Sequence, residues 1–295
     1  DFLSKKKVFF TISLVLIAAG VITIGVNAGR GNGAFAYSLE FQGGTSTNVT
    51  FDKDYSIDEI DKEIVPVVEK VTGDNNVQTQ KVAGTNQVII KTVTLDLDKR
   101  EALNKAMVDN FGVDESKITA ENISSTVSNE MRRDAVIAVV IATICMLLYI
   151  WFRFKDIRFA TSAVLALLHD VLVVVGFYAI ARISVGNTFI ACMLTIVGYS
   201  INATIVIFDR IREEMRGKTK SSDVAAVVNK SITQTLTRSI YTSLTTFIMV
   251  AVLYVMGVSS IKEFALPLMV GVVCGAYSSV CITGALWYVM KRFKK

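Results

Sequence analysis

Long apolar runs alternate along the chain with a single mixed segment near the N-terminus. Six runs stand out, at residues 8–26, 135–151, 159–181, 187–208, 236–257 and 264–290. A bilayer core about 30 Å thick needs roughly 20 apolar residues at about 1.5 Å each. Membrane β-strands need only about 9–11 residues, so the pattern predicts six membrane-crossing helices. The first run follows Lys5, Lys6 and Lys7, as the core of a signal peptide would. It outruns the roughly 7–15 residues of such a core, and Asn27-Ala28-Gly29 is a weak cleavage site. It is read as a retained anchor.

Residues 28–133 carry a different rhythm. Strands are predicted at 37–41 and 46–51, joined by the turn Gln42-Gly43-Gly44. Ser56 followed by Glu59 matches a capping box opening a helix over 57–71. Further strands are predicted at 76–82 and 87–93 around Gly84, a helix at 98–111 and a strand at 117–125. Two βαβ-like halves make an α+β, ferredoxin-like domain. The expected organisation is a first helix in 1–27, an external domain in 28–133, and helices two to six in 134–295. A loop at 209–235 is expected to form interfacial helix.

Composition supports this division. The chain is 52% hydrophobic and 19% charged, against about 25% charged in soluble proteins. The net charge of +5 conceals a split: residues 28–133 hold 12 basic and 17 acidic residues, the remainder 19 and 9. A basic membrane part with an acidic soluble part is not a nucleic-acid footprint. The basic residues Lys5–Lys7, Arg153, Lys155, Arg158, Arg210, Arg212, Arg216, Lys218, Lys220, Lys230, Lys291, Arg292, Lys294 and Lys295 share one set of connections. The other short connections hold Arg182 and Lys262. The positive-inside rule then puts both termini in the cytoplasm and 28–133 outside.

Cys145, Cys192, Cys274 and Cys281 lie in apolar runs without C-x-x-C spacing and read as small apolar side chains. With His169 the sole histidine, a multi-histidine metal site is excluded, and no cofactor is called for.

Ionisable groups at membrane depth are expensive and mark function or helix pairing. Asp170 falls mid-span, and its neighbour His169 points about 100° away round the helix, so the two are not expected to face each other. Thr235, Arg238, Thr242 and Thr245 form one polar face. A run of polar positions, Tyr199, Ser200, Asn202 and Thr204, marks the fourth span. In the sixth, Gly271, Gly275, Ser279 and Thr283 recur every four residues and include a GxxxG, which permits close helix contact. Asp170 and Arg238 are candidates either for a buried pair or for a proton or ion path. A serine hydrolase is disfavoured: Gly198-Tyr199-Ser200-Ile201 lacks the second glycine of a nucleophile elbow.

Several stretches resemble one family. Leu39-Glu40-Phe41-Gln42-Gly43-Gly44-Thr45 is similar to the LEF-x-GGT element of the SecD/SecF family. Trp151-Phe152-Arg153-Phe154-Lys155 with Arg158-Phe159-Ala160 resembles its short cytoplasmic turn. Gly198-Tyr199-Ser200-Ile201-Asn202-Ala203-Thr204, running to Phe208-Asp209-Arg210-Ile211-Arg212-Glu213, resembles the SecF branch. Gln234-Thr235-Leu236-Thr237-Arg238-Ser239-Ile240 resembles it too. The resemblance implies a non-enzymatic accessory subunit of the Sec translocon in the cytoplasmic membrane, one half of an RND-type bundle. Its implied partners are SecD, the SecYEG channel and unfolded preproteins, and its implied energy source is the proton-motive force. The chain departs from the pattern at Ala203, where the family carries an Asp implicated in proton flow. Arg238 matches the family's intramembrane arginine. Either position 203 is a neutralising substitution or proton exchange rests elsewhere, on Asp170 or on a SecD carboxylate. The alternatives are an RND-type exporter of small molecules or lipids, and a scaffold for SecD.

Overall fold

The computed structural model describes every residue except 31, 32, 76, 83, 217–222, 258 and 293–295. The readings placed on Asn76, Lys218, Lys220, Lys294 and Lys295 fall outside the described residues. The chain divides into two compact units. One comprises Asp1–Ala36, Val136–Gly257 and Ile261–Lys295, the other Tyr37–Ala135.

Among the described residues six helices are long and apolar enough to cross a membrane: α1 (Lys6–Gly29), α4 (Ser125–Phe154), α5 (Ile157–Ala181), α6 (Asn187–Met215), α7 (Val224–Met256) and α8 (Ile261–Arg292). Each is longer than the apolar stretch that predicted it, because flanking polar residues continue the helical turns at one end or both. The segment expected to be interfacial helix is instead the continuation of α6 to Met215 and the start of α7 at Val224. Between α4 and α5 the chain reverses at Lys155, whose φ is +53°. Asp156 then caps α5 by accepting from the Arg158 backbone N–H at 2.9 Å.

Burial within this unit is uneven. Half of the most apolar window of α5 and 61% of that of α8 are buried, against 11% for α1, α4 and α7. The interior therefore lies on α5, α6 and α8, where Phe159 stacks on Trp287 and meets Phe208 edge-on, with Phe154 from the end of α4 packed edge-on against Phe208. The remaining helices present Ile141, Leu148, Ile248 and Val252 outward, as a lipid-facing or partner-facing surface requires. Two glycine contacts set helix spacing. A Cβ on Gly176 of α5 would stand 2.9 Å from the Gly20 Cα of α1, so backbone touches backbone. On α8 a Cβ on Gly275 would stand 3.2 Å from that of Ser200 on α6, and the Ser279 hydroxyl lies 3.2 Å from that of Thr204. The four-residue spacing of small groups on α8 is thus the seam against α6. Within α8, residues Ser278–Thr283 widen into a π-helical turn.

The second unit folds as β1 (Gly44–Thr50), α2 (residues 57–72), β2 (Gln78–Lys81), β3 (Gln87–Thr92), α3 (Leu97–Phe111) and β4 (Ile118–Ile123). The antiparallel sheet has the order β2-β3-β1-β4, which is the ferredoxin-like arrangement. Its core gathers Val49, Ile60, Ile64, Val68, Ile90, Leu103 and Met107. The capping box is present: Ser56 accepts from the Glu59 N–H while its own N–H donates to Glu59 Oε2 at 2.8 Å. Pro66 follows in the same helix and lacks the N–H that would bond Lys62, and the turn Ile60–Ile64 before it is π-helical. The strand expected over 37–41 is a correction. Only Ala36–Tyr37 is extended, and Leu39–Gln42 is a helical turn, held by Phe41 and Gln42 N–H bonds to the Ser38 carbonyl. The chain leaves that turn through Gly43 and Gly44, at φ +75° and +138°. Those values favour glycine, which accounts for the paired glycines of the motif.

Candidate functional site in the membrane-spanning unit

Asp170, fully buried on α5, is the hub of the interior. Ser200 of α6 donates to its Oδ2 at 2.6 Å, and Ser278 of α8 donates to the same oxygen at 2.8 Å. On Oδ1 the His169 Nδ1 lies at 2.9 Å and the Cys274 Sγ at 3.3 Å. A carboxylate is acceptor-only, with about four lone-pair sites, and four donors from three helices converge on this one. The expectation that His169 and Asp170 do not face each other is corrected. Their Cα–Cβ bonds diverge, but the imidazole and carboxylate are long enough to curl together over the gap between α5 and α8.

Two further features belong to this centre. Ser278, at the start of the π-helical turn, has a second acceptor in the Gly275 carbonyl at 3.3 Å. The His169 Nε2 is buried and has no hydrogen-bond partner. The sequence of contacts runs serine, aspartate, histidine, with the carboxylate between hydroxyl and imidazole. A serine nucleophile needs the imidazole in that middle place, so this geometry activates no hydroxyl.

Arg238 stands elsewhere. It is exposed on α7 and borders a pocket of about 120 Å³ shared with Tyr199, Asn202 and Ala203 of α6 and with Ser239 and Thr242 of α7. Among the described residues no carboxylate pairs with it, and the Tyr199 hydroxyl and Ser239 Oγ of the same pocket also lack partners. The alternative of a buried Asp170–Arg238 pair is not what forms. The structure instead brings Arg238 together with Asn202 and Ala203 around this pocket. The polar face of α7 divides accordingly: Thr235 is buried, while Arg238, Thr242 and Thr245 are exposed.

The remaining motif residues have structural work. Asp209 pairs with Arg153 at 3.1 Å, tying the end of α6 to the end of α4. Arg210 bonds Glu213 at 2.6 Å, Glu214 at 3.0 Å and Gln234 of α7 at 2.7 Å. Glu40 sits in the helical turn before Gly43. Sequence reasoning missed Cys274 and Ser278 as members of the centre. Their place four residues apart on the GxxxG helix, as with Gly271 and Gly275, was the available signal.

Comparison with known proteins is extensive. The family model for the protein export membrane protein SecD/SecF, C-terminal, matches residues 103–293. The protein translocase subunit SecF of Petrotoga mobilis is 35% identical over all of this chain and 97% of its own length. The protein translocase subunit SecDF of Bacillus subtilis is 36% identical, and the chain spans 38% of its length. Among solved structures, the crystal structure of SecDF from Thermus thermophilus superposes with a TM-score of 0.82 at 31% identity, over 99% of this chain and 38% of that one. A SecDF structure in a super-membrane-facing form gives 0.69 at 30% identity.

Proposed function

The chain belongs to the SecD/SecF family of protein export membrane proteins, and from that premise we propose that it is a transport subunit which, with SecD beside the SecYEG channel, uses the proton-motive force to promote export of unfolded preproteins. The fusion of the two halves in the Bacillus relative supports SecD as the partner. The open, unpaired Arg238 pocket supports a partner helix arriving on the α6–α7 face. An unpartnered guanidinium, a phenol and a hydroxyl together at membrane depth call for an acidic or hydrogen-bonding group from outside the chain.

The observation that carries proton coupling is the Asp170 centre. Among the described residues Asp170 is the acidic side chain in the buried middle of the spans, and Ala203 cannot exchange a proton. A proton reaching Oδ2 turns that oxygen from acceptor to donor. Ser278 can then swing its O–H to the Gly275 carbonyl and accept from Asp170 instead. The exchange loosens one of the ties between α5 and α8 at the π-helical turn, where backbone bonding is already irregular. A proton crossing about 100 mV yields about 2.3 kcal/mol from the potential, comparable to one charge-assisted hydrogen bond of roughly 1.5–3 kcal/mol. The energy is thus of the size needed to switch one such tie.

The test is export of a reporter preprotein into vesicles holding this chain, SecD and the channel. Collapsing the proton gradient should slow late translocation in wild type, and Asp170→Asn should export at the collapsed rate regardless of the gradient. Full gradient stimulation in a folded Asp170→Asn complex would overturn the proposal. The exporter alternative predicts transport without SecD and the channel.

A further inference from the structure

A second site lies at the membrane end where both termini emerge. A pocket of about 420 Å³ opens between the first turn of α1 and the last of α8, lined by Lys6, Tyr288, Val289 and Arg292. Its size is within the roughly 300–1,000 Å³ of small-ligand sites. Both charged lining residues are cations, and no acidic residue joins them among the described lining. The Lys6 ammonium sits 4.9 Å from the Tyr288 ring centroid and has no carboxylate partner among the described residues, nor has Arg292. Arg158, by contrast, is already neutralised by Asp156 at 3.1 Å. Two unneutralised charges around one concavity ask for an anion. Below it, on the same face of α1 as Lys6, Leu14 and Val21 are exposed and Ile17 is half-buried between them, which leaves an apolar strip open.

We propose that this pocket holds the phosphodiester headgroup of one anionic phospholipid, with Lys6 and Arg292 on the phosphate, Tyr288 against the glycerol region and the acyl chains along α1. The occupant is a lipid, not free phosphate, because the charges stand at the end of an apolar helix face that only acyl chains can cover. Basic pockets between spans are lipid-headgroup sites by this same chemistry. The bound lipid bridges the first and last spans, so it secures α1, which has little burial of its own. The inference rests on the membrane reading of the chain and is independent of proton coupling.

The test uses the full chain in mild nonionic detergent, with retained lipid counted by native mass spectrometry. Dioleoylphosphatidylglycerol is the probe, and dioleoylphosphatidylcholine and inorganic phosphate are the comparison arms. Wild type should retain one phosphatidylglycerol in preference to phosphatidylcholine, and millimolar phosphate should not displace it. Each basic residue near an anionic surface contributes roughly fivefold, so Lys6→Gln with Arg292→Gln should weaken retention by about 25-fold. The charge-preserving pair Lys6→Arg and Arg292→Lys should keep it. Lys5→Gln with Lys7→Gln, which removes the same charge from exposed neighbours outside the pocket, should leave it unchanged. Equal loss in both neutralised pairs, equal retention of phosphatidylcholine, or displacement by phosphate would each overturn the site.

Discussion

The hydroxyls around Asp170 can be weighed by a double-mutant cycle on Asp170→Asn and Ser200→Ala. The Ser200 Oγ stands 2.6 Å from Asp170 Oδ2, within the roughly 2.5–2.7 Å range of O–H bonds to a charged acceptor. Such bonds are worth about 1.5–3 kcal/mol, neutral ones about 0.5–1.5 kcal/mol. Ser200→Ala should therefore cost about 1 kcal/mol or more beyond its cost in the Asp170→Asn background, where an amide replaces the carboxylate. Hydrogen bonds between spans average only about 0.6 kcal/mol in such cycles, so a coupling clearly above that value marks a charged acceptor. Reversible unfolding of the full chain in mixed micelles, titrated with denaturing detergent, supplies the four stabilities. Coupling at or below about 0.6 kcal/mol would refute the idea that the serines hold a carboxylate, and with it the switching role given to Ser278.

Three other outcomes follow from single features. Gly176→Leu places a side chain where a Cβ alone already meets the Gly20 Cα at 2.9 Å; overpacking costs about 1–3 kcal/mol, so α1 should detach, seen as faster proteolysis near its ends, and wild-type resistance would count against the contact. Arg238→Gln should stabilise the isolated chain by removing an unpaired charge while weakening its complex with SecD; a loss of stability in both settings would contradict an open, partner-facing pocket. In the external domain, the Lys53 ammonium and then Ser56 hold the Glu59 carboxyl down to about 2. A depressed carboxyl contributes fully above the ordinary carboxylate range and progressively less as pH falls toward about 2. Amide protection over residues 57–60 should drop across that window in wild type and show no such drop in Glu59→Gln; identical profiles would remove the capping box as the cause.

Much of the fold was legible because membrane helices and capping signals are local. Six apolar runs became six helices, and Ser56 with Glu59 opened the helix it announced. The failures are tertiary. The stretch 37–41 alternates like a strand, yet two backbone bonds to the Ser38 carbonyl close a helical turn. The His169–Asp170 contact was misjudged because helix geometry fixes where Cβ points, not where a long side chain ends. Cys274 and Ser278 were invisible as site members, since only the α6–α8 seam brings them to Asp170. Arg238 was legible as a residue of note, but its solitude was not, because the partnerless pocket exists only once α6 and α7 are packed.

Proton flux tests the central claim most directly. Liposomes containing this chain with SecD and a trapped pH dye would be given an inward proton gradient and a compensating ion leak. The account predicts steady acidification in wild type that Asp170→Asn abolishes while the protein remains folded and paired with SecD. Undiminished flux through the Asp170→Asn complex would contradict it.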